Sequence, residues 1–525
     1  MHTRAFLKFL PVLFVVLCLG AGIHYLTAQP PAAPDWTVAG HDLANSRSQP
    51  AEHMINTANV SSLGLKWIFT GGGGDDISAT PIVTPSGIYV PDWSGKLYAV
   101  KPDDGSMLWT HSIADYDHYV GAISRVSPAI HNGALILGDL QSSKLPHNGA
   151  NVVAVDRQTG NLLWITQVDS HPAAVVTGSP AVAGDVVFVG VSSTEESLAT
   201  NQTYTCCSFR GSMAALDANT GKILWQTFTM PDNGGLPDGY SGGAIWQPPA
   251  IDTAKGVLYA GTGNNYEVPD SVKACVAAST PDRQPSCFAA NDYYDSALAL
   301  DMKTGRILWS KRLQGTDIWT VACSSNSNPM ACPFPQSPDY DLSGSGPNLL
   351  ANGTIVGFGQ KSGIYWALKA DTGDVAWSSI VGPGATLGGI EWGTATDGKQ
   401  IYVAITNGEH KPYQLIDGTS TTGGAWSALD AATGKLVWQT ADPDQAFALG
   451  AVSVANGIVY VPSFSGNMLA LDANTGKVLF KFFSGGSVVD GPSIVNGTVY
   501  WGAGYHHLGG GMPNSKLFAF TVTRP

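Results

Sequence analysis

One phrase recurs seven times along the chain, and it constrains the fold more than any other feature. It reads Tyr98-Ala99-Val100-Lys101-Pro102-Asp103-Asp104-Gly105 followed by Trp109. It returns as Ala154…Gly160…Trp164, Ala215…Gly221…Trp225, Ala299…Gly305…Trp309, Ala367…Gly373…Trp377, Ala428…Gly434…Trp438 and Ala470…Gly476…Phe480. The Ala always stands six before the Gly, and an aromatic always four after it. An alternating strand that ends in a turn, with Gly supplying positive φ, followed by a strand carrying an aromatic, accounts for this spacing. The small Ala permits close packing between units, and the aromatic is placed to wedge between adjacent sheets. These residues carry fold and not chemistry.

A second phrase precedes each copy: a Pro- or Gly-led strand, a turn and another strand, as in Ser127-Pro128-Ala129-Ile130…Ile136-Leu137-Gly138. It begins near Thr80, Ser127, Ser179, Pro248, Pro347, Gly393, Ala451 and Gly491, which makes eight units. The eighth runs into Lys516-Leu517-Phe518-Ala519-Phe520 and lacks an outer aromatic strand. Such a strand lies unclaimed near the other end, as Leu65-Lys66-Trp67-Ile68-Phe69. Lending it to the last unit closes a ring and removes the open edges. The expected fold is therefore all-β, an eight-bladed β-propeller of four-stranded antiparallel blades, spanning residues 34–525 as one domain. The widest gap, from Gly221 to Gly305, places long insertions on one face, and that face is the expected binding face.

Charged residues make up only 13% of the chain, with a net charge of −13 and no Lys/Arg-rich run. Nucleic acid is thereby excluded as a partner. His2, Arg4 and Lys8 precede an apolar run from Phe9 to Ile23, then Ala28-Gln29-Pro30. Residues 1–28 read as a signal peptide or signal anchor, the run being short for a spanning helix, which needs about 20 apolar residues. Export to the periplasm or beyond is the expectation, with an integral membrane segment only if the anchor is retained. Six cysteines follow: Cys206, Cys207, Cys275, Cys287, Cys323 and Cys332. An even number in an exported chain points to disulfides. Pairing by neighbours is the simplest of many arrangements. The absence of CxxCH, CxxC and HExxH leaves no c-type haem and no zinc motif. His506-His507 has no partner at metal-ligand spacing and reads as surface or pocket rim.

The repeat Ala-x-Asp-x-x-Thr-Gly-x-x-x-Trp resembles that of propellers that bind pyrroloquinoline quinone (PQQ). So does the opening segment Trp36…Gly40-His41-Asp42…Asn45…Arg47. Within those quinoproteins the chain is most similar to the polyvinyl-alcohol-dehydrogenase-like group. That likeness rests on Ser192-Ser193-Thr194-Glu195-Glu196, Cys206-Cys207-Ser208-Phe209-Arg210-Gly211, Ala244-Ile245-Trp246, Gly261-Thr262-Gly263-Asn264, Asp317-Ile318-Trp319 and Gln360-Lys361-Ser362-Gly363.

The resemblance implies an alcohol dehydrogenase using PQQ and Ca²⁺, with secondary or polymeric alcohols as substrates. Electrons would pass to an external acceptor such as a cytochrome c, since the chain holds no haem motif. Asp317 would be the general base for the hydroxyl proton. Lys361 would contact the quinone carbonyls and stabilise developing negative charge. Glu195 or Glu196, with Asn264 and Asp317, would supply oxygen ligands to the metal. Shorter-looped relatives keep this Glu close to an Arg-Gly, whereas here an insert carrying Cys206-Cys207 separates it from Arg210. Trp246 would stack under the planar cofactor, and Arg125, Thr177 and Ser179 would meet its carboxylates. Some quinoproteins place a disulfide between adjacent cysteines beside the quinone, though in an earlier blade; Cys206-Cys207 matches by chemistry and not by position. A different reading of the same repeat is a cofactor-free propeller serving as a binding or assembly scaffold. That role needs none of Asn264, Asp317 or Lys361.

Overall fold

The structure is a computed structural model that describes residues 35–141, 149–507 and 509–522, together with Met1. The expected targeting segment, residues 1–28, lies outside the described residues apart from Met1. Eight four-stranded antiparallel sheets follow one another around a ring. The first blade comprises Ile82–Thr84, Gly87–Pro91, Lys96–Val100 and Met107–Ser112. The next six begin at Ala129, Ala181, Ala250, Asn348, Ala395 and Ser453. Each starts with a short buried strand, and first strands of successive blades meet around the axis. Each ends with a strand that alternates toward solvent, such as Ile307–Arg312. Blade 3 gains a further two-residue strand, Ala174–Val175, paired with Ser193 and Ser192.

The ring closes as the edge argument predicts. Ser493–Val495, Thr498–Gly502 and Lys516–Val522 form blade 8, and Leu63–Thr70 adds its outer strand, with Leu63 opposite Val522 and Thr70 opposite Lys516. No helix among the described residues is long and apolar enough to cross a membrane.

The repeat works as a latch between blades. Each repeat Gly has φ near +72°, and a Cβ there would strike the outer-strand Trp of the blade before it. Trp225 is typical: its ring lies against Gly305 and its indole N–H donates to the Met302 carbonyl at 3.0 Å. Trp67, lent by the N-terminal strand, does the same to Gly105 and Pro102. The Asp of the repeat holds the turn, as Asp301 Oδ1 accepts from Lys303 N, Thr304 N and the Thr304 hydroxyl. We therefore expect Gly305→Ala to cost about 2–4 kcal/mol, from a left-handed φ plus a Cβ 2.4 Å from Trp225 Cε3. Chemical denaturation followed by tryptophan fluorescence measures it, and an unchanged midpoint would remove the latch from the account.

The opening segment closes one end of the channel. It pairs Trp36 with Val83 in blade 1, and the Thr37, Leu43, Ala44 and Ser46 carbonyls accept from Ile130, Ile251, Leu349 and Thr396. Gln49 pairs with Val454 and, through its side chain, reaches Ile494. Arg47 is buried on the axis, donating to the Val452 and Ala39 carbonyls and the Thr80 hydroxyl. One strand-like segment thus ties seven of the eight blades together.

Candidate functional site

Above this floor lies a narrow chamber of about 80 Å³ lined by Arg47, Arg125, Ser127, Thr177 and Ser179 among others. It leads to a wider cavity of about 250 Å³ whose wall includes Arg125, Thr177, Glu196, Trp246 and Lys361. Five residues named from the sequence therefore meet in one cavity, supplied by loops of blades 1 to 5. Tyr266, Asp341, Glu391, Trp392 and Tyr505 complete the wall, and sequence reading did not single them out.

Lys361 sits on the turn between strands Ile355–Gly359 and Ile364–Lys369. Its ammonium is 3.0 Å from both oxygens of Asp339 and 2.8 Å from Asp341 Oδ2, and 5.5 Å above the Trp246 ring. These carboxylates hold its pKa well above the ordinary lysine value despite burial. Asp341 Oδ1 in turn accepts from Asn264 N at 2.8 Å. The Gly261-Thr262-Gly263-Asn264 motif makes this approach possible: a Cβ on Gly263 would stand 2.6 Å from Asp341 Oδ1, and one on Gly261 2.6 Å from the Leu342 carbonyl. The Asn264 side-chain nitrogen donates to the Asn265 and Trp319 carbonyls, which leaves the amide oxygen as the end not used in these bonds.

Asp317 is fully buried one layer behind the cavity wall. Tyr340 N donates to its Oδ2 at 2.7 Å, and Oδ1 is buried with no hydrogen-bond partner. Burial, then the charge of Asp339, pushes its pKa well above the ordinary carboxylate range. Asp295, also fully buried and at φ +43°, interacts with it directly and is pushed up by burial and by Asp317. Glu391, on the wall, is pushed up to about 8 by burial, with Lys361 opposing.

Glu195 and Glu196 divide. Both stand in the short helix Glu195–Leu198. Glu195 faces away from the cavity: its carboxylate accepts from Ser208 N, Phe209 N and the Tyr204 hydroxyl at 2.8–2.9 Å, folding the cysteine-bearing insert. Glu196 lines the cavity, its Oε1 buried without a partner, and burial and Asp339 raise its pKa. Arg210 lies elsewhere, paired with Asp232 at 3.2 Å. Ser179 belongs to the inner chamber, where its hydroxyl accepts from Ser127 N. Cys206–Cys207, Cys275–Cys287 and Cys323–Cys332 are bonded as disulfides, the neighbour pairing. Cys207 is buried in the apolar cluster that Tyr266 and Trp246 share.

Glu196, Asp339, Asp341 and Glu391 thus surround one ammonium at the cavity, with Asp317 and Asp295 buried behind its wall. Burying carboxylates without partners is costly. Unpartnered buried oxygens on Glu196 and Asp317 are the donor set that a hard, oxygen-seeking cation fits.

Known proteins share the propeller and much of the sequence. Residues 36–336 match the family model described as the β-propeller domain of glucose/ethanol/alcohol dehydrogenases, and residues 421–510 match that of the outer membrane protein assembly factor BamB. The polyvinylalcohol dehydrogenase of a Pseudomonas species is 31% identical, over 90% of this chain and 74% of that protein. That of Sphingopyxis sp. strain 113P3 is also 31% identical, over 94% and 77%. Among solved structures, the quinohemoprotein alcohol dehydrogenase of Comamonas testosteroni superposes with a TM-score of 0.69, at 19% identity, over 94% of this chain and 81% of that one. The chain belongs to the PQQ-dependent dehydrogenase propeller family, an oxidoreductase family acting on alcohols, and is similar within it to the polyvinyl alcohol dehydrogenases.

Proposed function

We propose that this protein oxidises a secondary or polymeric alcohol in the 250 Å³ cavity, with Asp317 as base, and passes the electrons to an external acceptor such as a cytochrome c. The observation that carries this reading is Lys361, fixed over the face of Trp246 beside the unpartnered carboxylate of Glu196. Bound there, PQQ supplies the hydride acceptor and Ca²⁺ a Lewis acid. Trp246 offers a flat apolar face to a fused-ring quinone. Arg125 and Thr177, with Ser179 deeper in, suit its carboxylates. Glu196, the Asn264 amide oxygen and Asp317 would hold the cation. Asp317 receives the hydroxyl proton as the carbinol carbon gives up its hydride. Lys361 holds positive charge where negative charge develops on a reduced carbonyl oxygen. The names of the polyvinylalcohol dehydrogenase relatives support the substrate class. The basic-then-apolar N-terminus supports export to the periplasm or beyond.

The test is dye-linked oxidation of secondary alcohols and polyvinyl alcohol by the mature protein, with PQQ and Ca²⁺ each added or omitted. Turnover that requires the quinone supports the reading. No turnover, with no change in melting temperature on adding both, would favour the cofactor-free scaffold, a role that has no use for this buried charge.

The two glutamates provide a paired control. Glu196→Gln is expected to weaken Ca²⁺ binding by at least about tenfold and to lower activity with it. Glu195→Gln should leave Ca²⁺ affinity within a few-fold but cost about 1–3 kcal/mol. Its amide nitrogen would face one of three donors on Tyr204, Ser208 and Phe209. Calcium titration and thermal melting of both variants separate the roles, and equal Ca²⁺ affinities would remove Glu196 from the ligand set.

A further inference from the structure

We infer that a second metal site, for a late first-row divalent ion such as zinc, lies where the two ends of the chain meet at the rim of the cavity. Its ligands are Asp75, Asp76, His506 and His507, whose donor atoms all lie within 4.8 Å of one another. Asp75 and Asp76 follow the strand that closes the ring, and His506 and His507 precede its partner strand Lys516–Val522.

The distances match a tetrahedral ion. Metal bonds of about 2.0–2.2 Å to imidazole nitrogen and carboxylate oxygen put tetrahedral ligands about 3.3–3.5 Å apart. His507 Nε2 is 3.4 Å from Asp75 Oδ1 and 3.5 Å from Asp76 Oδ2, and His506 Nδ1 is 3.6 Å from Asp75 Oδ1. Of the four aspartate–histidine separations only that of His506 Nδ1 and Asp76 Oδ2 is shorter, at 2.7 Å, because they are hydrogen-bonded; the aspartate pair and the histidine pair lie within 4.8 Å. That one contact must open by roughly 0.6 Å, and lose its shared proton, for an ion to enter at the bond lengths above.

The ligands are held before any ion arrives. Asp76 is buried and accepts from His506 N at 2.6 Å and Asn514 N at 3.0 Å. Gly504 allows this: a Cβ there would lie 2.4 Å from Asp76 Oδ1. Trp93 stacks on the His507 ring at 3.8 Å and 18°, fixing its plane. Asp75, His506 and His507 remain partly exposed, so solvent can deliver the ion. Two imidazoles and two carboxylates give a neutral site with a divalent cation. Nitrogen donors favour zinc, nickel or copper over the oxygen-seeking Ca²⁺ of the cavity. The bound ion would join residues 75–76 to residues 506–507 and so staple the closing blade beyond the end of its strand pairing, where Thr70 stands opposite Lys516.

The test uses the full mature chain, stripped with chelator and held in excess Ca²⁺ so that oxygen-only sites are occupied. Titration calorimetry with zinc chloride should show one equivalent bound at about micromolar affinity or tighter, and His506→Ala/His507→Ala should weaken it by at least about 100-fold. Zinc should raise the melting temperature of the parent and not of that variant. Cobalt(II) should give the visible absorption of a tetrahedral ion. Asp75→Asn, which keeps the acceptor for Asp76 N, serves as the second variant if the double substitution disturbs folding. No zinc binding at these concentrations, or binding that neither variant changes, would overturn the site. Neither outcome depends on quinone or on turnover, so this inference and the proposed reaction fail separately.

Discussion

Asp317→Asn is expected to lower alcohol oxidation by about 10²–10⁴-fold, the usual worth of the positioned general base proposed above, while the protein folds as before. The substitution suits the site. Tyr340 N donates to Oδ2, and an amide oxygen can keep that bond. The amide nitrogen would take the place of Oδ1, now buried without a partner, beside the Asp295 carboxyl, which can accept from it. What is lost is the basicity and the negative charge that Asp317 would offer to a cation, so Ca²⁺ affinity is measured beside the rate. The sign of the pH dependence follows from the same surroundings. Before a cation binds, burial and Asp339 raise the pKa of Asp317; a bound cation opposes this, so activity falls on acidification and the acid limb moves to lower pH as Ca²⁺ is raised. Asp339→Asn removes the largest charge acting on it, so the acid limb should move to lower pH even where the maximal rate drops. Rates of the three proteins against pH, at saturating quinone and Ca²⁺, decide it. Asp317→Asn with more than about a tenth of the parent rate would show that another group takes the proton.

The propeller was legible because its determinants are local. A Gly six after an Ala and four before a Trp states a turn and a wedge without knowledge of the partner blade. The closing strand could be inferred from a missing one, since an open edge is unfavourable in any ring. The site was legible only where its residues sit at strand ends. Trp246, Lys361, Arg125 and Thr177 do come together in the cavity. Asp339 and Asp341 were missed because the stretch from Cys323 to Leu342 has no periodicity, and their importance arises where it crosses strand Val257–Gly261. The glycines of Gly261-Thr262-Gly263 were a usable signal: small residues before Asn264 mark a place that another segment approaches closely. Glu195 and Glu196 could not be told apart, since adjacent residues on one helical turn point about 100° apart and only the surroundings say which way is inward. His506-His507 has no partner within reach in sequence because its partners are some 430 residues away.

Lys361→Met is expected to destabilise the protein by about 3–5 kcal/mol, because it leaves Asp339 and Asp341 as buried carboxylates without their cation. Methionine fills a similar volume along the Trp246 ring, so the loss is chiefly of charge. The deficit should depend on pH. Burial raises the pKa of Asp339 and the ammonium opposes it, so without Lys361 that carboxyl binds its proton more tightly folded than unfolded. Stability then falls as pH rises above the ordinary carboxylate value, and the deficit fades at acid pH, where Asp339 is protonated in either state. Adding Asp339→Asn to Lys361→Met removes one of the stranded charges and should restore part of the stability. Asp341 keeps its bond from Asn264 N in that double variant. Quinone-dependent activity should not return with it, since neither change replaces the positive charge over Trp246. Melting curves from acid to neutral pH, beside dye-linked rates, resolve the two effects. A Lys361→Met protein as stable as the parent at neutral pH would show that the Lys361 ammonium does not offset the burial of these carboxylates.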